Sequence, residues 1–324
     1  MSFPNLNDLV ATTIEARSND IADNVTQQNG LLTVLNKRGN VKTFDGGTTI
    51  IETFSFAQNT NGGSYSGFDF LPTQASDVIT AAQYNWAQYA VPVVFSGRET
   101  LTNSGKAQII DLIEGRVNVA EATMQNLLNT HLYLDGTGNN GKNLTGLAAA
   151  VPLSPSNVYG GIDRSVAANS VWQNQKFQST VDGSGVASTG AQLIQYWNQF
   201  ILSMTRGSDR PDLIIASPTM YELLQTGMQT QQRYGDVDSA NAGFQTLMFQ
   251  GIPVVLETTA SGIGANTAYF LNTKYLKWRP HKDRNMVALD EKASINQDAT
   301  VKTLAWAGNL TCSGAKFQGV YSNT

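Results

Sequence analysis

The sequence predicts an α+β fold in which one long helix is framed by β-rich segments. Three observations carry this expectation. Residues 103–134 hold an apolar stripe at helical spacing, while residues 48–97 and 275–324 are rich in β-branched and aromatic residues. Between them, residues 190–270 alternate helix and strand signals in an α/β section. No internal repeat is present.

Residues 1–47 read as an arm. Leu6, Leu9, Val10 and Ile14 share one helical face, which Ile21 and Val25 extend. So short a helix is marginal alone in water and needs a surface to lie on, its own domain's or a neighbour's. Residues 48–97 read as a long hairpin. TTIIETFSF (48–56) is one strand; YNWAQYAVPVVFSG (84–97) is the return, with Tyr84, Trp86 and Gln88 on one face and Asn85, Ala87 and Tyr89 on the other. Pro92 cannot donate to a ladder, which marks an edge strand or a bulge. A two-stranded hairpin is marginally stable by itself. Its aromatic residues Tyr65, Phe68, Phe70, Trp86 and Tyr89 are therefore expected at contacts with a neighbouring subunit.

In the long helix, Asn103 or Ser104 is the expected cap. The stripe runs through Ile109, Ile110, Leu112, Ile113, Val117, Ala120, Met124, Leu127, Leu128, His131 and Leu132, and Gly136 stops it. At about 1.5 Å per residue the helix would reach roughly 45 Å. Gly115 inside it costs about 1 kcal/mol relative to alanine, which makes it a candidate bend. After a loop-rich stretch, helix 190–206 presents Leu193, Ile194, Trp197, Phe200, Ile201 and Met204 on one side. DLIIA (212–216) is a buried strand. Ser217 and Pro218 suit the N-cap and first turn of helix 218–226, with Gly227 as its stop. Strands follow at 252–257 and 267–271, and short strands fill the chain from Tyr275 onward.

Composition bounds the function. Of 324 residues, 41% are hydrophobic but only 14% are charged, against about 25% in ordinary soluble domains. Asn, Gln, Ser, Thr and Gly take the place of the missing charge. Such a surface suits a protein that covers itself with copies of itself, since interface cores are depleted in charge. The net charge of −4 supplies no basic field for a dedicated nucleic-acid binder. A single cysteine, Cys312, allows no internal disulfide. Neither a membrane-length apolar run nor a secretory start is present.

The residues that could carry chemistry do not form a set. GTGNNG at Gly136–Gly141 matches the dinucleotide fingerprint, but a helix precedes it where a strand is required, so it reads as a turn. There are two histidines: His131 beside the apolar stripe and His281 in a charged loop, neither near a ligand cluster. Ser64 and Ser66 only approximate a nucleophile elbow. Cys312 reads as an inert buried thiol, and the sequons at Asn24, Asn143 and Asn309 matter only in a secreted protein. One cluster stands out. Lys274, Lys277, Arg279, His281, Lys282 and Arg284 crowd against a single acid, Asp283. It reads either as a solvated strand edge or as an electrostatic contact with adjacent subunits or phosphate.

The order of arm, long hairpin, long helix, α/β section and returning strands resembles the Hong Kong 97-type fold of tailed-phage major capsid proteins. GGSYSGFD (62–69), LDGTGNNGKNLTGL (134–147) and QDATVKTLAWAGNLTCSGAKFQGV (297–320) carry the likeness along the chain. The resemblance implies an N-terminal arm (1–47) lying across a neighbour and an extended loop (48–97) overlapping the next subunit. It implies a peripheral domain (98–189 and 271–324) with spine helix 103–134, and an axial domain (190–270) around five- and six-fold axes. It further implies a non-enzymatic major capsid protein without cofactors, assembling into pentamers and hexamers of an icosahedral head enclosing double-stranded DNA. Expected partners are further copies of the chain, a separate scaffolding protein, a portal protein, decoration proteins and non-specific contact with the packaged DNA. No membrane is involved; assembly would take place in the host cytoplasm and the product would be a virion. Inter-subunit contacts are expected at the hairpin aromatics and at Lys277, Arg279, Lys282 and Arg284, and Gly115 becomes the point where the spine flexes. The family's type member cross-links its subunits through a lysine of the extended loop. Residues 48–97 contain no lysine, so that linkage is expected to be absent. Rival readings are an encapsulin-type nanocompartment shell, an α/β hydrolase, and a tail-tube or adhesin protein.

Overall fold

Two sheets, each completed by strands from distant parts of the chain, organise the structure. The computed structural model describes residues 29–70, 73–102, 112–228, 246–290, 292–293 and 297–324. In order, α1 (Gly30–Lys37) leads to a ribbon of β1 (Ile50–Ser55) and β2 (Ile79–Tyr84), then β3 (Ala87–Ser96), α2 (Gly97–Thr102) and the spine helix α3 (Leu112–Tyr133). Next come α4 (Leu147–Ala150), the short pair β4 (Val158–Tyr159) and β5 (Ile162–Asp163), and β6 (Gln175–Gln178). The section α5 (Gly190–Met204), β7 (Leu213–Ala216), α6 (Pro218–Met228), β8 (Thr246–Phe249), β9 (Ile252–Leu256) and β10 (Thr267–Leu271) follows. The chain closes with β11 (Leu276–Pro280), β12 (Val287–Ala288), β13 (Lys292–Ala293), β14 (Ala299–Cys312) and β15 (Gly319–Ser322).

The first sheet is built on β14, 14 residues long. One of its edges is taken by β3, from Ala299↔Ser96 to Gly308↔Ala87, and the other is shared by β11, β12 and β13, all antiparallel. Every residue from Leu304 to Cys312 is buried, because both faces are covered. Trp306 stacks on Trp278 at 5.0 Å. The spine helix contributes Ala120, Met124, Leu128 and Leu132 to the buried interior. Its last turn lies against Gly146, where a Cβ would stand 2.4 Å from the carbonyl oxygens of Leu132 and Leu134.

The second sheet has the order β6-β15-β10-β7-β9-β8. The pairs β6–β15 and β7–β9 are parallel; the rest are antiparallel. Strand β7 is buried on both faces, as its unbroken LIIA run requires. Helix α5 begins with a capping box between Thr189 and Gln192 and buries Leu193, Trp197, Phe200, Ile201 and Met204. Trp197 meets Phe249 and Phe270 edge-on, at 5.5 and 5.0 Å. Helices α5 and α6 touch through glycines: a Cβ on Gly227 would lie 2.4 Å from the carbonyl oxygen of Gly190.

Several expectations need correction. Strand β1 pairs with β2, from Ile50↔Tyr84 to Ser55↔Ile79, and not with residues 84–97. The expected return segment is broken at Asn85–Trp86, and its main part, β3, serves the other sheet. The physical reason is the open edge of β14, whose backbone groups need a ladder partner. Pro92 lies on an edge strand, since among the described residues β14 is the one strand that pairs with β3. Residues 29–47 are not a detached arm. Leu31 and Leu35 are fully buried, and Val41 and Phe44 make parallel bridges to Trp278 and His281. The helix expected over Leu6–Ile14 lies outside the described residues, as do Asn103, Ser104, Ile109 and Ile110. Leu127 is exposed, and α6 runs past Gly227 to Met228. A boundary at 190 and 270 cuts the second sheet, which takes in β6 and β15.

Candidate assembly surface

The β1–β2 ribbon carries the two most exposed of the large hydrophobic side chains among the described residues, Phe68 and Phe70. None of the described side chains between residues 57 and 77 is buried. Phe68 and Phe70, at 104% and 102% relative exposure, touch nothing of their own fold, and Tyr65 is also exposed. The tip is nonetheless ordered by a turn. The backbone N–H of Asp69 donates to the Ser66 carbonyl at 2.8 Å, and the Ser66 N–H donates to the Asp69 carboxylate at 2.8 Å.

At its base the ribbon is clamped to the body. Ile50, Glu52 and Phe54 alternate toward the interior, so a carboxylate is carried inside with two apolar neighbours. Glu52 accepts from Lys277 Nζ at 2.7 Å, from Arg279 Nε at 2.9 Å and from the Thr311 hydroxyl at 3.0 Å. Burial by itself would raise its pKa; the hydrogen bonds and charges of Lys277 and Arg279 outweigh that and hold it below the ordinary value. Phe54 stacks on Trp172 at 4.2 Å, Tyr84 donates to the Cys312 carbonyl, and the Gln83 N–H donates to Gly160.

The nine residues expected at inter-subunit contacts thus divide. Tyr65, Phe68 and Phe70 present free surface. Trp86 packs with Phe44 and stacks on His281 at 5.7 Å, and its Nε1 donates to the Thr48 carbonyl. The Tyr89 hydroxyl shares a 2.8 Å hydrogen bond with His131 Nδ1 and accepts the Leu144 N–H. Lys277 and Arg279 are committed to Glu52, while Lys282 and Arg284 are exposed and form no ion pair among the described residues. Lys274 pairs with Asp209 at 3.2 Å. Gly115 lies within α3, half-buried.

The remaining chemical candidates have structural roles. Gly136, Asn139, Asn140 and Gly141 all have positive φ, a tight turn and no phosphate loop. Cys312 is fully buried, and burial pushes its thiol up to about 12. Burial lowers the pKa of His131. Among the described residues there is no cluster of His, Cys, Asp and Glu able to hold a metal, and no helix long and apolar enough to cross a membrane. One junction was invisible in the sequence. The buried Glu257 carboxylate accepts from Tyr133 of the spine at 2.9 Å, from the Gly30 N–H of α1 at 3.2 Å and from Ser261. No motif marks it, because its three partners come from three separate segments.

No protein-family model and no curated sequence matches this chain. Solved structures do. A chain of the cyanophage A-1(L) capsid asymmetric unit superposes with a TM-score of 0.73 at 15% identity, covering 98% of this chain and 99% of that one. A chain from Microbacterium phage Oxtober96 matches with a TM-score of 0.59 at 11% identity, over 99% of both chains. A chain from the capsid of the native GTA particle matches with a TM-score of 0.57 at 12% identity, covering 98% and 99%. The fold is therefore an α+β shell-subunit fold. Specifically, it is the Hong Kong 97-type capsid fold, present from the first described residues to the C-terminus.

Proposed function

We propose that this chain is the major capsid protein of a tailed-phage-type particle, a non-enzymatic subunit that forms pentamers and hexamers of an icosahedral shell around double-stranded DNA. The observation that carries it is the capsid fold shared over almost the full length of both chains. The ribbon adds to it: an ordered tip with fully exposed phenylalanines has no use in a monomer. Heterologous contacts of a projecting element close into rings where the rotation allows, and many weak contacts add up in a shell.

In this reading β1 and β2 with their tip are the extended loop. The sheet on β14 with α3 is the peripheral domain, and the six-stranded sheet with α5 and α6 is the axial domain. The arm proposed over residues 1–47 includes residues 1–28, which lie outside the described residues. Lys282 and Arg284 are available to acidic groups of adjacent subunits or to DNA phosphates. A separate scaffolding protein, a portal and decoration proteins complete the set of partners. The particle is built in the host cytoplasm and ends as the virion. The test is negative-stain electron microscopy after size-exclusion chromatography, with the chain alone and with a co-expressed scaffold candidate. Closed shells, tubes or five- and six-membered rings support the proposal; a monomer or dimer under both conditions overturns it.

A further inference from the structure

Three Asn-Gly steps occur in the sequence, at Asn29–Gly30, Asn61–Gly62 and Asn140–Gly141. A glycine after asparagine leaves its backbone nitrogen unhindered by a side chain, so that nitrogen can attack the asparagine carboxamide. The attack needs an N–H free to lose its proton and water to finish the reaction, and the three steps differ in both. Asn29 is buried; its Oδ1 accepts the Leu32 N–H at 3.0 Å, and the Gly30 N–H donates to the buried Glu257 carboxylate at 3.2 Å. A deprotonated Gly30 nitrogen would face that carboxylate oxygen. Asn140 is exposed, but the Gly141 N–H donates to the Thr137 carbonyl at 3.1 Å, and both residues sit in a positive-φ turn. The step at 61–62 has no such protection. Gly62 is exposed, and its N–H donates to no acceptor among the described residues. Asn61 is held by its own N–H, donating to Asn59 Oδ1 at 2.9 Å, and by Nδ2, which donates to the Gln74 carbonyl. Its Oδ1 accepts no hydrogen bond among the described residues, which leaves the carboxamide oxygen to water.

We infer that Asn61–Gly62 is a site of spontaneous modification, which converts Asn61 to aspartate or isoaspartate. The Gly62 nitrogen loses its proton to solvent and bonds to Asn61 Cγ. The Cγ–Nδ2 bond breaks, and the departing nitrogen takes a proton from water and leaves as ammonia. Water then opens the five-membered imide at either carbonyl, so the net change is one water consumed and one ammonia released. The product alters the ribbon itself. The Asn61–Gln74 hydrogen bond joins two limbs of the loop across 13 residues of sequence. A carboxylate at 61 accepts and cannot donate, so it sets an acceptor against the Gln74 carbonyl and the bridge is lost. It also adds a negative charge to a segment whose only charged residues between Thr53 and Ser96 are Asp69 and Asp77. The modification is a property of the chain and does not depend on the capsid reading.

The test is peptide mapping by mass spectrometry of the full chain after incubation at mildly alkaline pH. A synthetic peptide of residues 57–66, treated alike, sets the rate of the unprotected step. The mass gain of an amide-to-acid exchange is expected at Asn61, with conversion at Asn29 and Asn140 about tenfold slower, because a hydrogen bond must open there first. Labelling by an isoaspartyl methyltransferase identifies the isoaspartate fraction. Gly62 has no positive φ, and an added Cβ would lie 3.8 Å from the Asn59 carbonyl oxygen, so alanine fits there. Gly62→Ala is therefore expected to unfold at the wild-type temperature while conversion at 61 drops to the level of 29 and 140. Asn61→Asp, which carries the product side chain, is expected to raise the rate of protease cleavage within residues 57–77. Conversion at 29 or 140 as fast as at 61, or none at 61 while the peptide converts, overturns the site. Unchanged cleavage of Asn61→Asp overturns the loss of the bridge.

Discussion

Glu52 is the one acid that the β1 alternation carries into the interior, and it meets two cations there. Removing one member of a buried ion pair leaves uncompensated charge, at a cost of about 3–5 kcal/mol. Glu52→Gln is accordingly expected to lower stability by about 3 kcal/mol, read as a lower urea midpoint. Replacing Glu52, Lys277 and Arg279 together by Leu, Met and Met should recover most of that loss, because the desolvation of all three charges is then relieved. A triple variant no more stable than Glu52→Gln would show that the trio does more than balance charge. Acid acts on the same groups. The unfolded carboxyl of Glu52 protonates near its ordinary 4.5 and the folded one only below it, so its contribution is complete above 4.5 and is lost as pH falls through the folded value. His131 has a lowered folded pKa, so the unfolded chain takes up its proton first and stability falls as pH drops below the ordinary 6.5. Urea midpoints at pH 7.5 and 5.5 should therefore differ in the wild type and converge in His131→Gln.

At the scale of elements, the C-terminal end of the spine helix and the residues after it are fitted to Gly146. A methyl there would collide with the carbonyl oxygens of His131, Leu132 and Leu134. Gly146→Ala is expected to cost about 1–3 kcal/mol through overpacking, measured by thermal unfolding. Gly115 is different. Alanine there should strengthen α3 by up to about 1 kcal/mol. If Gly115 is the bend of the spine, particles of Gly115→Ala assemble but keep their initial diameter after DNA filling, while normal expansion would remove that role. The β1–β2 ribbon is legible from its β-rich residues, yet its partner strand is not. Val91, Val93 and Val94 fit a sheet equally well beside β1 or beside β14.

For the whole molecule, the decisive division is between a body with two sheets and a tip that belongs to no core. Deletion of residues 58–83 would remove most of β2 and the buried Ala82, so it would damage the body as well. Replacing residues 57–77 by a short glycine turn isolates the tip. That variant should melt like the wild type and form no closed particles; particles of normal yield would take the tip out of assembly.

The sequence by itself determined much of this. Low charge, one cysteine and two isolated histidines weighed against a catalytic reading. Local periodicity placed α5, β7, β9, β10 and most of the described spine, and Ser217 and Pro218 marked the start of α6, because those signals lie within a few residues. The order of elements already resembled the capsid fold that the structure then displayed. Tertiary structure alone decided the rest. It paired β3 with β14, drew β6 and β15 into the second sheet, closed Glu52 onto Lys277 and Arg279, and joined Tyr89 to His131. The physical reason is separation along the chain. Glu52 and Arg279 are 227 residues apart. Alternation says which face a residue takes, but only the folded chain decides which distant backbone or charge waits there.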